Sequence, residues 1–240
     1  MEKYQPYTNL AQSYDTIVGD RSDEIQIIKQ TIKKYTPYAK RLCEFGCGTG
    51  SLLAPFNNDG FDVYGVDASI KMVKEARKQV PNAIILNDDI RAVQLPTTMD
   101  VILSMYDTIN HLLTLDDWRT TFMNIVRHIN TNGMFFFDVN TNHRFNTLSE
   151  QSPIEHEQNE YKALFTINAV DEHMYQCVTD IYFNNGTHTT EYITEYTPSL
   201  NEIYSLLSEY FKEIKMTDIF GKTTDLETAS KVYIVATDAY

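Results

Sequence analysis

The segment Glu44-Phe45-Gly46-Cys47-Gly48-Thr49-Gly50 constrains this chain more than any other. It follows a short apolar strand, Arg41 to Phe45, and continues into a helix from Thr49 to Asn57. Glycines at alternate positions after a strand let the backbone turn sharply and pass close to a ligand. A glycine turn alone also suits a dinucleotide, a nucleotide or plain packing. Its neighbours narrow the choice, because strands and helices alternate along both sides of it.

Ile25, Ile28 and Ile32 stand at helical spacing over residues 22–35, and Thr36-Pro37 ends that helix. Phe61 to Val66 is the next strand, ending at Asp67, and Ser69 is placed to cap a helix over 70–79. Ala83 to Leu86 is the third strand and leads into Asn87-Asp88-Asp89. In the fourth, Asp100 to Met105, the run Val101-Ile102-Leu103 shows no polar alternation, as in a strand covered on both faces. A helix over 116–129 starts on Asp116-Asp117, favourable at its positive end, and Asn132-Gly133 turns into strand Met134 to Val139. The pattern predicts an α/β fold: a doubly wound, mostly parallel, seven-stranded sheet. After residue 145 the rhythm changes. Residues 146–160 read as loop, followed by strand-like runs near 160–169, 174–183 and 187–197, with Asn185-Gly186 a hairpin turn between the last two. A helix over 199–210 and strands near 211–219 and 231–237 complete the chain, so the antiparallel piece reads as an insertion after the fifth strand.

The chemistry of the turn lies in acids at successive strand ends. Glu44 at its mouth would repel a pyrophosphate but suits a ligand with an ammonium and a sulfonium. The third glycine of a dinucleotide fingerprint falls at Ser51. Asp67 is placed to accept both hydroxyls of a ribose, and a carboxylate of Asp88-Asp89 to meet an adenine amino group. Together they fit a cationic adenosyl ligand without phosphates.

Residues 41–50, 62–75, 84–91 and 99–112 resemble the successive motifs of class I S-adenosylmethionine-dependent methyltransferases. The likeness is close over residues 7–140 and loose in the C-terminal strands. It implies S-adenosylmethionine as cofactor and S-adenosylhomocysteine as product. It also implies Gly46, Gly48 and Gly50 around the methionine part, Asp67 on the ribose and Asp89 near the adenine. Ser69 and Met72 would line the adenosine pocket, with Ile90 packed on the base. Tyr14, Glu44, Cys47, Ala68, Asp88, Met105 and Tyr106 complete the expected cofactor contacts, Tyr14 as part of a lid. Within the family the chain is similar to small-molecule N-methyltransferases, especially those acting on amino sugars. Their fourth strand runs into a segment like Met105-Tyr106-Asp107-Thr108-Ile109-Asn110-His111. That similarity implies His111 near the acceptor and Tyr7, ahead of Tyr14-Asp15, near the reacting methyl. His111 is a candidate proton acceptor, and Asp107 a candidate holder of an ammonium acceptor. On this reading, residues 1–145 and 198–240 form the S-adenosylmethionine-binding domain, and 146–197 cover the acceptor site. No Pro-Pro-Tyr follows the fourth strand, which argues against methylation of adenine in nucleic acid or glutamine in proteins.

The formal net charge is -13 over 240 residues, which disfavours a phosphate backbone as partner. Cys43, Cys47 and Cys177 show neither a paired framework nor metal spacing, and no metal is expected. They read as reduced thiols of a cytoplasmic protein. Met1 to Thr8, with Tyr4, is polar and carries no apolar signal core, and no apolar run is long enough to span a bilayer. The expected partner is a small molecule, with no nucleic acid and no membrane; a homodimer stays open. The competing readings are methylation of a protein or RNA, a cofactor-binding module without catalysis, and a nucleotide-dependent dehydrogenase. The last is disfavoured by Glu44 and Ser51.

Overall fold

The computed structural model describes residues 7, 10–11, 13–158, 161–219, 221–222 and 224–240. Tyr4 and the rest of the polar stretch 1–8 apart from Tyr7 lie outside them. In chain order the first elements are α1 (Tyr14–Val18), α2 (Ser22–Tyr35), β1 (Arg41–Phe45), α3 (Leu53–Asn58), β2 (Asp62–Asp67), α4 (Ile70–Gln79), β3 (Ile84–Asn87) and β4 (Met99–Ser104). A 3₁₀ turn at Thr108–His111 precedes α5 (Leu115–His128) and β5 (Ile129–Asn140). Then come α6 (Asn142–Gln151), β6 (Ile154–Gln158), β7 (Tyr161–Ala169), β8 (Met174–Phe183) and β9 (His188–Tyr196). The chain closes with α7 (Leu200–Leu207), β10 (Phe211–Asp218) and β11 (Lys231–Ala239).

Seven strands form one sheet in the order β10-β11-β5-β4-β1-β2-β3, parallel from β5 to β3 and antiparallel at β11 and β10. This is the doubly wound sheet that the alternation of elements implied. Alternate residues of each central strand point to opposite faces, and both faces are covered. Cys43 and Phe45 enter a core with Trp118, Phe122 and Ile125 of α5 and with Ile203, Leu206 and Leu207 of α7. Leu42 enters the other core, with Ile28, Phe56, Val73 and Ala76. Phe135 and Phe137 stack 4.5 Å apart on the first face while Phe136 fills the second. Strand order reverses between β4 and β1, so the loops at their carboxyl ends diverge and leave a crevice.

Three local expectations give way. Residues 146–160 are not a loop: α6 reaches Gln151, with Thr141 accepting from the Arg144 N–H at its start, and β6 pairs antiparallel with β7. Phe145 explains the helix, because it is buried and stacks on Tyr175 at 4.7 Å. The polar sequence of β6 carries almost no strand signal, since it is an exposed edge held by backbone pairing. Asn132-Gly133 does not precede the fifth strand but interrupts it: Met99 opposes Ile129 while Val101 opposes Met134. The helix after the glycine turn starts at Leu53 rather than Thr49.

β6 to β9 form a separate four-stranded antiparallel sheet. Its Tyr161, Ala163 and Ile181 pack on Leu10, with Tyr7 and Ile17 beside them. Tyr7 and Leu10 are thereby held against the second sheet, and Tyr7 lines the crevice. No helix among the described residues is long and apolar enough to cross a membrane.

Gly50 adopts φ +79°, and a methyl group there would lie 3.2 Å from Cα and Cβ of Ala76 in α4. The left-handed backbone and the tight helix contact act together, so Gly50→Ala is expected to destabilise the fold by about 1–3 kcal/mol. Urea unfolding checks this; an unchanged midpoint would show that α4 is not packed against the turn.

Candidate active site

The chain leaves β1 at Gly46, whose φ is +77° and whose N–H, like that of Cys47, donates to the carbonyl of Val66 (2.8 and 3.0 Å). A side chain at Gly46 would collide with Thr108, so only glycine lets the turn and the segment after β4 share this space. The Gly48 N–H donates to Asp67 Oδ2 at 2.8 Å, and the Ser69 N–H donates to Asp67 Oδ1 at 2.8 Å. Asp67 therefore joins the glycine turn to the cap of α4, where Ser69 Oγ accepts from the Met72 N–H. Each of its oxygens keeps a lone pair for a further donor.

Glu44 is 2 % exposed, and its Oε2 has no hydrogen-bond partner among the described residues. Burial pushes its carboxyl up to about 8, against the pull of Arg21. Arg21 is also buried; it pairs with Asp15 at 2.8 Å, bonds Ser51, and lies against the rings of Tyr14 and Tyr106. Its Nε is likewise without a partner. Both side chains line one small hollow with Gly46, Cys47, Thr49, Met105 and Tyr106. A buried acceptor and a buried donor left open cost free energy unless something meets them. An α-amino acid zwitterion has the matching ammonium and carboxylate, so the residues present fit the methionine end of S-adenosylmethionine.

The hollow adjoins a cavity of about 500 Å³, within the range of small-molecule sites. Gly46, Gly48, Asp67, Ala68, Ser69 and Met72 are among the residues that line it, together with Asp89, Ile90, Tyr7, Tyr14, Tyr106 and His111. Three sequence candidates line neither space. Gly50 is spent on α4. Asp88 is exposed, and its carboxylate accepts the Asp89 N–H at 2.8 Å. Asp107 is tied instead to β5, through its N–H on Asp138. Asp89 itself is not free: Arg91 grips both its oxygens and reaches Asp117 of α5, and this holds the Asp89 carboxyl below the usual carboxylate range.

His111 Nε2 and the Tyr7 hydroxyl form a hydrogen bond of 2.8 Å. Burial lowers His111 to about 4 and raises the Tyr7 phenol well above its ordinary value, so both are neutral at neutral pH. Nδ1 of His111 is buried without a partner among the described residues. An imidazole whose conjugate acid titrates near 4 holds a proton weakly, which suits positioning and relay better than storage. The histidine is fixed from its neighbour: Asn110, fully buried, accepts the Asn140 N–H and donates to the carbonyls of Asn140 and Tyr196. Tyr106 and Asp107 both take positive φ, 57° and 53°, and the Asp107 N–H donates to Asp138 Oδ1.

Arg21, Arg91, Thr108, Leu112, Leu113 and Asp117 line these spaces without having been anticipated. Arg91 was legible, two residues beyond Asp89 and of opposite charge. Arg21 gives no spacing signal, because it comes from the start of α2.

Residues 42–133 match a family model described as a methyltransferase domain. A dTDP-3-amino-3,4,6-trideoxy-alpha-D-glucopyranose N,N-dimethyltransferase of Streptomyces venezuelae is 27 % identical over 115 residues, 48 % of each chain. A dTDP-4-amino-2,3,4,6-tetradeoxy-D-glucose N,N-dimethyltransferase of Saccharopolyspora spinosa is 31 % identical over 128 residues, 52 % of this chain and 51 % of the other. These matches span about half the length of the curated relatives. The crystal structure of an S-adenosylmethionine-dependent methyltransferase from Clostridium acetobutylicum superposes with a TM-score of 0.85 at 17 % identity, covering 96 % of this chain and 98 % of that one. Residues 42–133 thus resemble a methyltransferase domain, and the chain as a whole has the fold of a solved S-adenosylmethionine-dependent methyltransferase.

Proposed function

We propose that the protein transfers a methyl group from S-adenosylmethionine to a small-molecule acceptor, at an amine nitrogen. The observation that carries this reading is the pair of unpartnered groups Glu44 Oε2 and Arg21 Nε at one end of a cavity that has His111 and Tyr7 at its wall. The amino-sugar dimethyltransferases among its relatives support the nitrogen acceptor. A net charge of -13 and the packing of the second sheet on Tyr7 and Leu10 favour a small substrate over nucleic acid. We read residues 146–197 as the cover of the acceptor site. Three free cysteines fit a reducing, cytoplasmic setting.

The cofactor supplies a methyl group already activated on a sulfonium. What remains for the chain is placement. Glu44 holds the ammonium and Arg21 the carboxylate of the methionine end. Asp67 accepts the ribose hydroxyls, while Met72 and Ile90 pack on the adenosine. Tyr7 and His111, locked to each other, set the approach of the acceptor and exclude water. Alignment of this kind is worth on the order of several kcal/mol.

Four outcomes test the reading. Glu44 must ionise to hold an ammonium, so binding below about pH 8 expels a proton from it. Affinity for S-adenosylhomocysteine is therefore expected to rise from about pH 6 to about pH 8, approaching tenfold per unit, and Glu44→Gln to flatten the curve. Calorimetric titration across that range decides it, and a flat wild-type profile removes Glu44 from the site. Asp67→Ala is expected to weaken binding roughly 10- to 100-fold through loss of a charged acceptor; unaltered affinity would place the ribose elsewhere. His111→Ala should leave cofactor affinity within about twofold while slowing turnover at least tenfold, and unchanged turnover excludes it from the reaction. Finally, radiolabelled S-adenosylmethionine is offered to a cell extract split into metabolites and macromolecules. Label in the metabolites supports the proposal; label confined to macromolecules replaces it with a protein or RNA target.

A further inference from the structure

The Tyr106 ring lies against two cations from different elements. Arg21, at the start of α2, has its guanidinium carbon 5.2 Å from the ring centroid, and both residues line the cofactor hollow. Lys231, at the start of β11, holds its Nζ 5.7 Å from the same centroid. Both distances are within cation–π reach. Lys231 is fixed there by Asp138 of β5, which is 1 % exposed. Asp138 Oδ2 pairs with Lys231 Nζ, and Asp138 Oδ1 accepts the Asp107 N–H at 2.9 Å. One buried carboxylate thus ties β11 to the residue that follows Tyr106. Tyr106 and Asp107 both take positive φ, a conformation that side chains keep only where neighbouring bonds impose it. Among the described residues that line the cavity or the hollow, neither Asp138 nor Lys231 is found; Lys231 instead lines a separate cavity with Arg144 and Tyr233. What the ion pair does for the site, it does through Tyr106.

What Tyr106 brings to the hollow is its hydroxyl. Tyr106 Oη is buried and has no hydrogen-bond partner among the described residues. Burial raises the phenol well above its ordinary value, so the hydroxyl keeps its proton and can donate. The hollow therefore holds two open donors, Tyr106 Oη and Arg21 Nε, and one open acceptor, Glu44 Oε2. An α-amino acid end matches this set: its ammonium takes the acceptor, and its carboxylate has lone pairs for both donors.

We propose that the Asp138–Lys231 ion pair positions the binding site for the carboxylate of the cofactor: it sets the Tyr106 ring against Arg21, and the Tyr106 hydroxyl joins Arg21 as the second donor. Tyr106 is the binding residue, and Asp138 and Lys231 are positioning residues supplied by β5 and β11. The inference rests on the S-adenosylmethionine reading and names the groups that recognise one end of that ligand.

The test uses the full chain and two ligands that differ in one group: S-adenosylhomocysteine and its decarboxylated form, S-adenosyl-3-thiopropylamine, which keeps the ammonium. Calorimetric titration gives the ratio of their affinities, and this ratio reads the carboxylate alone. The wild-type protein is expected to favour S-adenosylhomocysteine at least about thirtyfold, through two charge-assisted bonds. Tyr106→Phe should shrink the ratio about three- to tenfold, with affinity for the decarboxylated ligand within about twofold as the check on folding. Lys231→Met should shrink it at least about threefold, and Lys231→Arg, which keeps the cation, should retain it. A purely structural role for Lys231 would weaken both ligands alike and leave the ratio unchanged. An unchanged ratio in Tyr106→Phe or in Lys231→Met overturns the assignment. If Lys231→Met does not fold, Asp138→Glu, which keeps the charge but moves both oxygens, takes its place with the same expected loss. Binding of both ligands to the wild-type protein with a ratio near one strikes this inference alone. Failure to bind either ligand would instead strike the S-adenosylmethionine reading, and so is told apart.

Discussion

A buried amide holds the working parts of this protein together. Asn110 has no exposed surface, and its three hydrogen bonds join the segment after β4 to the end of β5 and to Tyr196 in β9. Its chain neighbour is His111, and Tyr196 is the neighbour of Glu195. The positions of the histidine in the cavity wall and of Glu195 therefore depend on one side chain. Trp118 braces the same segment from α5 by donating to the carbonyl of Leu112 at 2.9 Å. In a close-packed interior such bonds locate atoms firmly, because a broken buried bond leaves polar groups with no water to replace it.

The carboxyl ends of the central strands gather acids more densely than stability alone would favour. Glu44, Asp67, Asp107, Asp138 and Glu195 crowd this region, and burial disfavours the charged form of Glu44, Asp67, Asp107 and Glu195. Desolvating a carboxylate is expensive unless a cation or several donors stand against it. Arg21 and Lys231 offset part of this, and two backbone N–H groups hold Asp67. What stays uncompensated is concentrated at Glu44 and Glu195, whose Oε2 atoms have no partner among the described residues. A buried carboxyl of this kind suits a ligand that brings positive charge. The acidity of the chain is thus partly a local property of the crevice rather than only of its surface.

Backbone conformation follows the same economy. Gly46 and Gly50 take positive φ where a side chain would strike Thr108 or Ala76, and this is what brings the turn close to both the segment after β4 and α4. Tyr106 and Asp107 take positive φ without being glycine. Such residues persist only where surrounding bonds over-determine them, here through Asp138 and the cation of Lys231.

Much of this was legible in the chain itself. The unbroken apolar run Val101-Ile102-Leu103, the glycine turn, the acids at strand ends and the cap at Ser69 are local signals, because strand burial, sharp turns and capping are decided within a few residues. They determined the doubly wound sheet and much of the lining of the cavity at its carboxyl ends. Tertiary structure decided the rest. The edge strand β6 has no apolar period to read, and α6 exists because Phe145 finds Tyr175 across the second sheet. Arg21 and Glu44 come to line one hollow only after distant elements have packed; charge complementarity between remote residues leaves no spacing to detect. The protonation of His111 and Glu44 was likewise beyond the sequence, since it is set by the water that folding removes from around them.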